Sequence, residues 1–399
     1  MEFTQEQLQA IESRNENLLV SAAAGSGKTA VLVERIIRRV LDEESPVDID
    51  RFLVMTFTRA AAEQMKEKIL KAIEDERSKN PTDKHLIKQA ALVHNARITT
   101  IHGFCLDVIR NHFQEIGLDP DFRVADEGEC RLLKADVIEK VIEKAYEEGS
   151  DDFINMVECL SAGKSDSGLE GILDKMYEFS MSDPEPEKWL DRCVKAYTDE
   201  GKEERVWVDV FLGQAGMLLA DAHDKAARAQ EITREPDGPY MYEPAASNDL
   251  ELIEALKECR GYDELRGSLA GAEFVRLKNK PKDGPYVDED LKGKFMALRE
   301  SVKDVVKELK KDFSLPLEEQ DRRIGACLGV VRELTRLTGC IINEYSALKR
   351  DKNIVDFADI EHLCIRILGA DDGITAAEYR DYFEEIYVDE YQDSNLVQE

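Results

Sequence analysis

Two short stretches of this chain carry side chains whose types and spacing suit chemistry on a phosphate. The first is Ala22-Ala23-Ala24-Gly25-Ser26-Gly27-Lys28-Thr29, where an apolar run ends in small residues just ahead of an amphipathic segment. Small residues let backbone N–H groups turn inward around an anion, Lys28 can reach terminal phosphate oxygens, and Thr29 can hold Mg²⁺. The second is Asp389-Glu390-Tyr391-Gln392-Asp393, delivered by the apolar run Ile386-Tyr387-Val388. Asp389 can share a metal ion with Thr29, and Glu390 can orient and deprotonate an attacking water. Exposed acids after a strand are common, but a pair of them joined to a Lys-Thr loop is not. The general spelling of such a loop has glycine where this chain has Ala22. The combination points to a nucleotide.

These residues need elements to hold them. The run Asn17-Leu18-Leu19-Val20 predicts a first strand, and Val31, Val33, Ile36, Ile37, Val40 and Leu41 recur at helical spacing after the loop. Upstream, Thr4 is an N-cap candidate for a short helix to about Ile11. That helix carries Gln7, whose amide could meet the donor-and-acceptor edge of adenine or stay solvated. Phe52 to Thr56 predicts a second strand flowing into Phe57-Thr58-Arg59, then a helix with Met65, Ile69 and Ile73 on one face. Arg97 to Thr100 predicts a third strand, followed by Ile101-His102-Gly103-Phe104-Cys105 and a helix to about Phe113. Hydroxyls where a strand meets a helix N-terminus suit phosphate contacts, and Phe57 suits base stacking or a core equally well. His102 has no second His or Cys at ligand spacing, so it reads as a hydrogen-bonding or packing residue rather than a metal ligand. From Asp126 to Lys352 strand-like runs vanish and helical periodicity takes over, which predicts an inserted all-α domain. Asp356 is then a good N-cap for a returning helix.

Bulk composition narrows the classes. The 399 residues carry a formal charge of −30, which argues against a protein that coats nucleic acid non-specifically. Between Arg51 and Arg110, however, Lys and Arg outnumber Asp and Glu, a local excess suited to a focused anion site. The eight cysteines are scattered without a Cys-x-x-Cys pair, so they read as reduced thiols and argue against a zinc or iron–sulfur site. The N-terminus lacks the charged-then-apolar pattern of a signal peptide, and no apolar run is long enough to span a bilayer. A cytoplasmic protein with no membrane partner is the expectation.

Taken together, the motifs resemble those of superfamily 1 DNA helicases of the UvrD/Rep type, and within them the AddA (RecB-like) helicase–nuclease branch. Phe3-Thr4…Gln7 is similar to the Q motif, which implies adenine recognition by Gln7. The stretch Ala22 to Thr29 resembles the family's Ala-x-x-Gly-x-Gly-Lys-Thr loop, so Ala22 is the family's own spelling. Thr56-Phe57-Thr58-Arg59-Ala60-Ala61 and Thr100-Ile101-His102-Gly103-Phe104 resemble two motifs that touch single-stranded DNA. Val388 to Asp393 resembles the DExxQ element, with Gln392 implied to link nucleotide state to DNA grip. The long stretch between Lys28 and Asp389 favours the AddA/RecB branch over UvrD. Two departures stand out: Ala30 replaces an arginine common after the loop threonine, and Arg59 replaces a commoner asparagine.

The resemblance implies an α/β fold: a RecA-like P-loop NTPase domain, a parallel sheet with helices on both faces, interrupted by a large all-α insertion. The boundaries expected are 1–125 plus 353–399 for the ATP-binding domain and 126–352 for the insertion. ATP and Mg²⁺ are the implied cofactors; single-stranded or duplex DNA and an AddB-like protein are the implied partners. The implied activity is a 3′–5′ ATP-dependent helicase or translocase in recombinational repair. The family's later motifs are not in the sequence, so a truncated product or fragment, weakly active alone, is expected. Two alternatives stay open: a P-loop ATPase or kinase that does not act on DNA, and an inactive interaction module.

Overall fold

The computed structural model describes residues 3–23, 25–160, 167–198, 205–370 and 373–399. The chain is mostly helical with a small parallel sheet, and it packs as two compact units. One comprises Met1–Glu148, Gly163–Trp189 and Leu337–Glu399; the other comprises Gly149–Ala162 and Leu190–Arg336.

The first unit opens with α1 (Gln5–Glu12), α2 (Lys28–Val40), β1 (Phe52–Thr56), α3 (Arg59–Lys79) and α4 (Lys84–Leu92). It continues through β2 (Arg97–Thr100), α5 (Ile101–His112), β3 (Arg123–Val124) and α6 (Glu127–Glu148). Later it regains β4 (Ile354–Val355), the Phe357–Gly369 and Ile374–Tyr382 helices and β5 (Glu385–Val388). Three strands form a parallel sheet in the order β2-β1-β5, with Val54 opposite Ile98 on one side and Tyr387 on the other. The centre of β1 is apolar and buried because it has a strand on each flank and helices packed on it. Ile36, Ile37 and Val40 of α2 and Met65, Ile69 and Ile73 of α3 close one cluster with Phe52 and Val54. A second cluster joins Cys105, Val108 and Ile109 of α5 to Ile360, Cys364 and Ile367.

Helix starts follow local chemistry. Thr58 Oγ1 accepts from the Ala61 N–H at 3.1 Å, and Thr100 Oγ1 from the Gly103 N–H at 3.1 Å. β2 therefore hands over directly to α5 at the capping Thr100, and β1 to α3 two residues past its end, at the capping Thr58. Asp356 and Asp359 form a reciprocal capping box at the start of the Phe357–Gly369 helix. β5 is pinned to α2 by charge: Glu385 meets Arg39 at 2.5 Å and Arg35 at 3.4 Å, and Tyr387 Oη donates to the same carboxylate.

Two features depart from the sequence reading. Residues 17–20 form no strand; Leu18, Leu19 and Val20 are 44%, 76% and 46% exposed. An apolar run becomes a strand only where a neighbour can satisfy its N–H and C=O groups, and among the described residues no strand lies beside this one. Conversely, β3 and β4 form an unexpected parallel pair, with the Arg123 N–H on the Asn353 carbonyl and the Ala125 N–H on the Val355 carbonyl, at 3.2 and 2.9 Å.

The described residues of the second unit are helical or irregular. The Val206–Arg234 helix packs on Glu243–Glu258 and Glu289–Asp312 through Leu219, Ala222, Ala226, Ile253, Val302 and Val306. Inside it, Arg299 pairs with Asp249, both buried, and donates to the Val275 carbonyl at 2.6 Å. No helix of the described residues is long and apolar enough to cross a membrane.

Candidate functional site

Because β1, β2 and β5 are parallel, their C-terminal ends share one edge of the sheet, where open α/β sheets place ligands. That edge carries Thr100-Ile101-His102 after β2, Thr56-Phe57-Thr58 after β1 and Asp389-Glu390 after β5, in that spatial order.

The small-residue loop has the backbone that anion binding needs. Gly25 and Gly27 sit at φ +78° and +86°, left-handed values that a Cβ would strain. Gly27 is the N-cap of α2 and supplies no side-chain cap, so no side chain competes for the first N–H groups of that helix. Lys28 Nζ donates to the Ala22 carbonyl at 3.1 Å, folding the side chain back over its own loop. Ser26 N–H donates to the Ala23 carbonyl at 3.2 Å. Ala22, Ala23, Gly25, Ser26 and Gly27 are exposed and Thr29 is half-buried; Ala24 lies outside the described residues. Gln7 is already joined to this loop. Its Nε2 donates to the Ser26 carbonyl at 3.0 Å, while its Oε1 accepts from the Thr4 N–H at 2.9 Å.

At the end of β5 the Asp389 N–H donates to the Met55 carbonyl at 2.9 Å, extending the ladder by one residue. Burial and the Glu390 charge push the Asp389 carboxyl above its ordinary range, against the pull of the Glu390 N–H, Lys28 and Lys68. Glu390 adopts φ +57°, a left-handed turn uncommon for a side-chain-bearing residue, which swings its exposed carboxylate away from the strand direction. Gln392 Nε2 donates to Glu390 Oε2 at 2.5 Å. Among the described residues no three His, Cys, Asp or Glu side chains gather as a ready metal cage.

The nucleic-acid candidates divide by exposure. Phe57 is 59% exposed, and Thr58 and Arg59 are exposed beside it. Thr56 is buried, with its hydroxyl donating to the Thr58 carbonyl at 2.9 Å. Phe104 turns inward, edge-on to Tyr379 and Phe383 at 5.7 and 6.2 Å. His102 keeps about a third of its side chain in solvent, with Nε2 at 3.0 Å from Glu361 and its ring edge-on to Phe357 at 5.1 Å. Sequence reasoning missed Glu361, Lys68 and the Arg35–Arg39–Glu385 cluster. Glu361 was detectable, because it falls on the apolar stripe of its helix with Ile360, Cys364 and Ile367.

The chain belongs to the UvrD/REP helicase N-terminal domain family, whose profile matches residues 3–399. Among curated proteins it is similar to the A subunit of the ATP-dependent helicase/nuclease of Lachnoclostridium phytofermentans, at 43% identity over 100% of this chain and 30% of that protein. The proteins of the same name from Clostridium beijerinckii and Anoxybacillus flavithermus are 42% and 40% identical over 100% of this chain, covering 33% and 34% of theirs. The chain therefore spans about a third of the length of the curated relatives it matches.

Proposed function

We propose that this chain is the ATP-binding part of an AddA-like helicase–nuclease, an ATP-dependent 3′–5′ motor on single-stranded DNA in recombinational repair. The observation that carries the reading is that two segments far apart in sequence meet in one unit: Arg35 and Arg39 of α2 pair with Glu385 of β5, the strand that delivers Asp389. The Glu385–Arg39 pair holds β5 against the helix that Lys28 begins. In this reading the first unit contains a RecA-like domain, and residues 126–352 are a helical insertion whose two ends are joined by the β3–β4 pair. Gln7 reads adenine, and Ala22 to Thr29 cradle the phosphates together with Lys28.

The donor set fits Mg²⁺. The Thr29 hydroxyl and Asp389 carboxylate are hard oxygen ligands, few enough to leave positions for phosphate oxygens and water. When bound, the ion neutralises charge on the phosphates. Glu390 orients the attacking water and takes its proton, and Gln392 holds Glu390 in place. DNA crosses the strand-end edge, with Phe57 stacking on a base and Thr58, Arg59 and His102 contacting backbone. Thr56 and Phe104 act from inside, as supports. That the relatives are named as one lettered component of a helicase/nuclease favours an AddB-like partner.

The test is a titration with a fluorescent ATP analogue and Mg²⁺, repeated with an oligothymidine. Nucleotide binding that depends on Lys28, together with affinity for the oligonucleotide, supports the motor. Nucleotide binding without DNA affinity favours a P-loop ATPase or kinase that does not act on DNA. Loss of both leaves an interaction module.

A further inference from the structure

Glu361 is a carboxylate buried to 6% exposure, and the strand-end edge does not itself require it. Its Oε1 is shared by two donors, Nε2 of His102 at 3.0 Å and Nε2 of Gln398 at 2.6 Å. Asn395 Oδ1 accepts from the Val397 and Gln398 N–H groups at 3.0 and 2.9 Å, so residues 395–398 form one tight hook. Only the short turn Tyr391–Asp393 separates that hook from Asp389-Glu390. On the other side, His102 belongs to the first turn of α5, and its ring is held by Phe357 from the same helix as Glu361. One buried oxygen therefore joins the segment that follows the acidic pair to a half-buried residue in the first turn of α5.

A carboxylate on the apolar stripe of a helix is costly to desolvate, and an apolar residue of similar size would pack there more cheaply. Here burial alone would raise the Glu361 carboxyl; the His102 and Gln398 bonds outweigh it and hold the group below its ordinary range. Bonds this short weaken with a shift of well under an ångström, so a small displacement of the hook reaches His102 directly.

We propose that Glu361 is a positioning residue that ties the segment after Asp389-Glu390 to His102, so that nucleotide in the phosphate loop sets the DNA-facing start of α5. This inference rests on the ATP and DNA reading above. The two donors share Oε1, and this makes the test specific. Glu361→Gln keeps the shared acceptor, Glu361→Met keeps only the volume, and Gln398→Ala breaks the link from the far side while keeping the carboxylate and its contact with His102.

The measurement is amide hydrogen exchange of the chain with and without Mg²⁺ and a non-hydrolysable ATP analogue, read over residues 22–29 and 101–112. The natural chain and Glu361→Gln should slow exchange in both segments, by on the order of fivefold in the second. Glu361→Met and Gln398→Ala should slow exchange in residues 22–29 alone, and if Glu361→Met fails to fold, Gln398→Ala carries the test. A full response at 101–112 in those two variants overturns the proposal, as does no response there in the natural chain despite protection of 22–29. No protection of 22–29 in the natural chain refutes nucleotide binding itself, and the inference falls with it.

Discussion

The Gln7 side-chain amide donates to the Ser26 carbonyl at 3.0 Å, fastening the first helix to the loop immediately before Lys28. Both ends of that amide are engaged, since its oxygen closes the Thr4 capping box. For Gln7 to read adenine as proposed, it would have to exchange an existing bond for one to the base. Gln7→Ala should weaken binding of a fluorescent ATP analogue by about tenfold, the worth of one or two hydrogen bonds. Gln7→Glu should do no better, because a carboxylate cannot donate to the Ser26 carbonyl. Unchanged affinity in both variants would remove Gln7 from the site.

Lys28 is the only side chain of the loop that can bring a positive charge to the phosphates. Lys28→Met keeps the aliphatic stem and should reduce nucleotide affinity by about 2–3 kcal/mol, the range for a bond to a charged group. Its melting temperature should stay close to that of the natural chain, because among the described residues the ammonium bonds only the Ala22 carbonyl of an exposed loop. Calorimetric titration alongside thermal denaturation separates the two effects.

Phe57 and Phe104 should behave oppositely. Phe57 is 59% exposed, so Phe57→Ala should cost about 1–3 kcal/mol of oligothymidine affinity, the value of one stacked base, with little change in stability. Phe104 packs on Tyr379 and Phe383, so Phe104→Ala should lower the urea midpoint, with any loss of DNA affinity following the loss of fold. A stability loss for Phe57→Ala without a change in affinity would reverse the assignment.

Glu385 gives the sheet a pH dependence. Burial would raise its carboxyl, but the Tyr387 and Arg39 hydrogen bonds and the charges of Arg35 and Arg39 hold it below the ordinary range. A carboxylate with a lowered native pKa stabilises fully above its unfolded value, and that contribution disappears as pH falls through the lowered native value. Glu385→Gln should destabilise the chain by about 1–3 kcal/mol at neutral pH and flatten the acid limb of the stability curve. Urea titrations at stepped pH would check both, and parallel acid limbs would exclude Glu385 as a contributor.

Much of the site could be read along the chain because its signals are local. Apolar runs ending in threonine marked β1 and β2; Thr100 proved to be the cap of α5, and Thr58, two residues past the end of β1, the cap of α3. The acidic pair after Ile386-Tyr387-Val388 was legible for the same reason. What failed were statements about partners. Leu18, Leu19 and Val20 have the composition of a strand, but composition does not say whether a neighbouring strand stands alongside. β3 and β4 are two residues each, too short for any period to show. Thr56 and Phe104 sit in motif positions yet face inward, because the chain's turn at a strand end decides exposure and residue type does not. Glu361 was overlooked since a lone glutamate in a helix is ordinarily solvated; only its place on the apolar stripe marks it as unusual.

The β3–β4 pair sets Asn353 beside Arg123, although more than half of the chain runs between them. Geometrically, that whole excursion departs from and returns to one doorway. Parallel neighbours need a crossover of only about a dozen residues, so the β3–β4 pairing does not itself fix the length of what runs between the two strands. The main part of the second unit, Leu190–Arg336, can therefore change size without altering that pairing, whereas Glu127–Glu148 packs in the first unit.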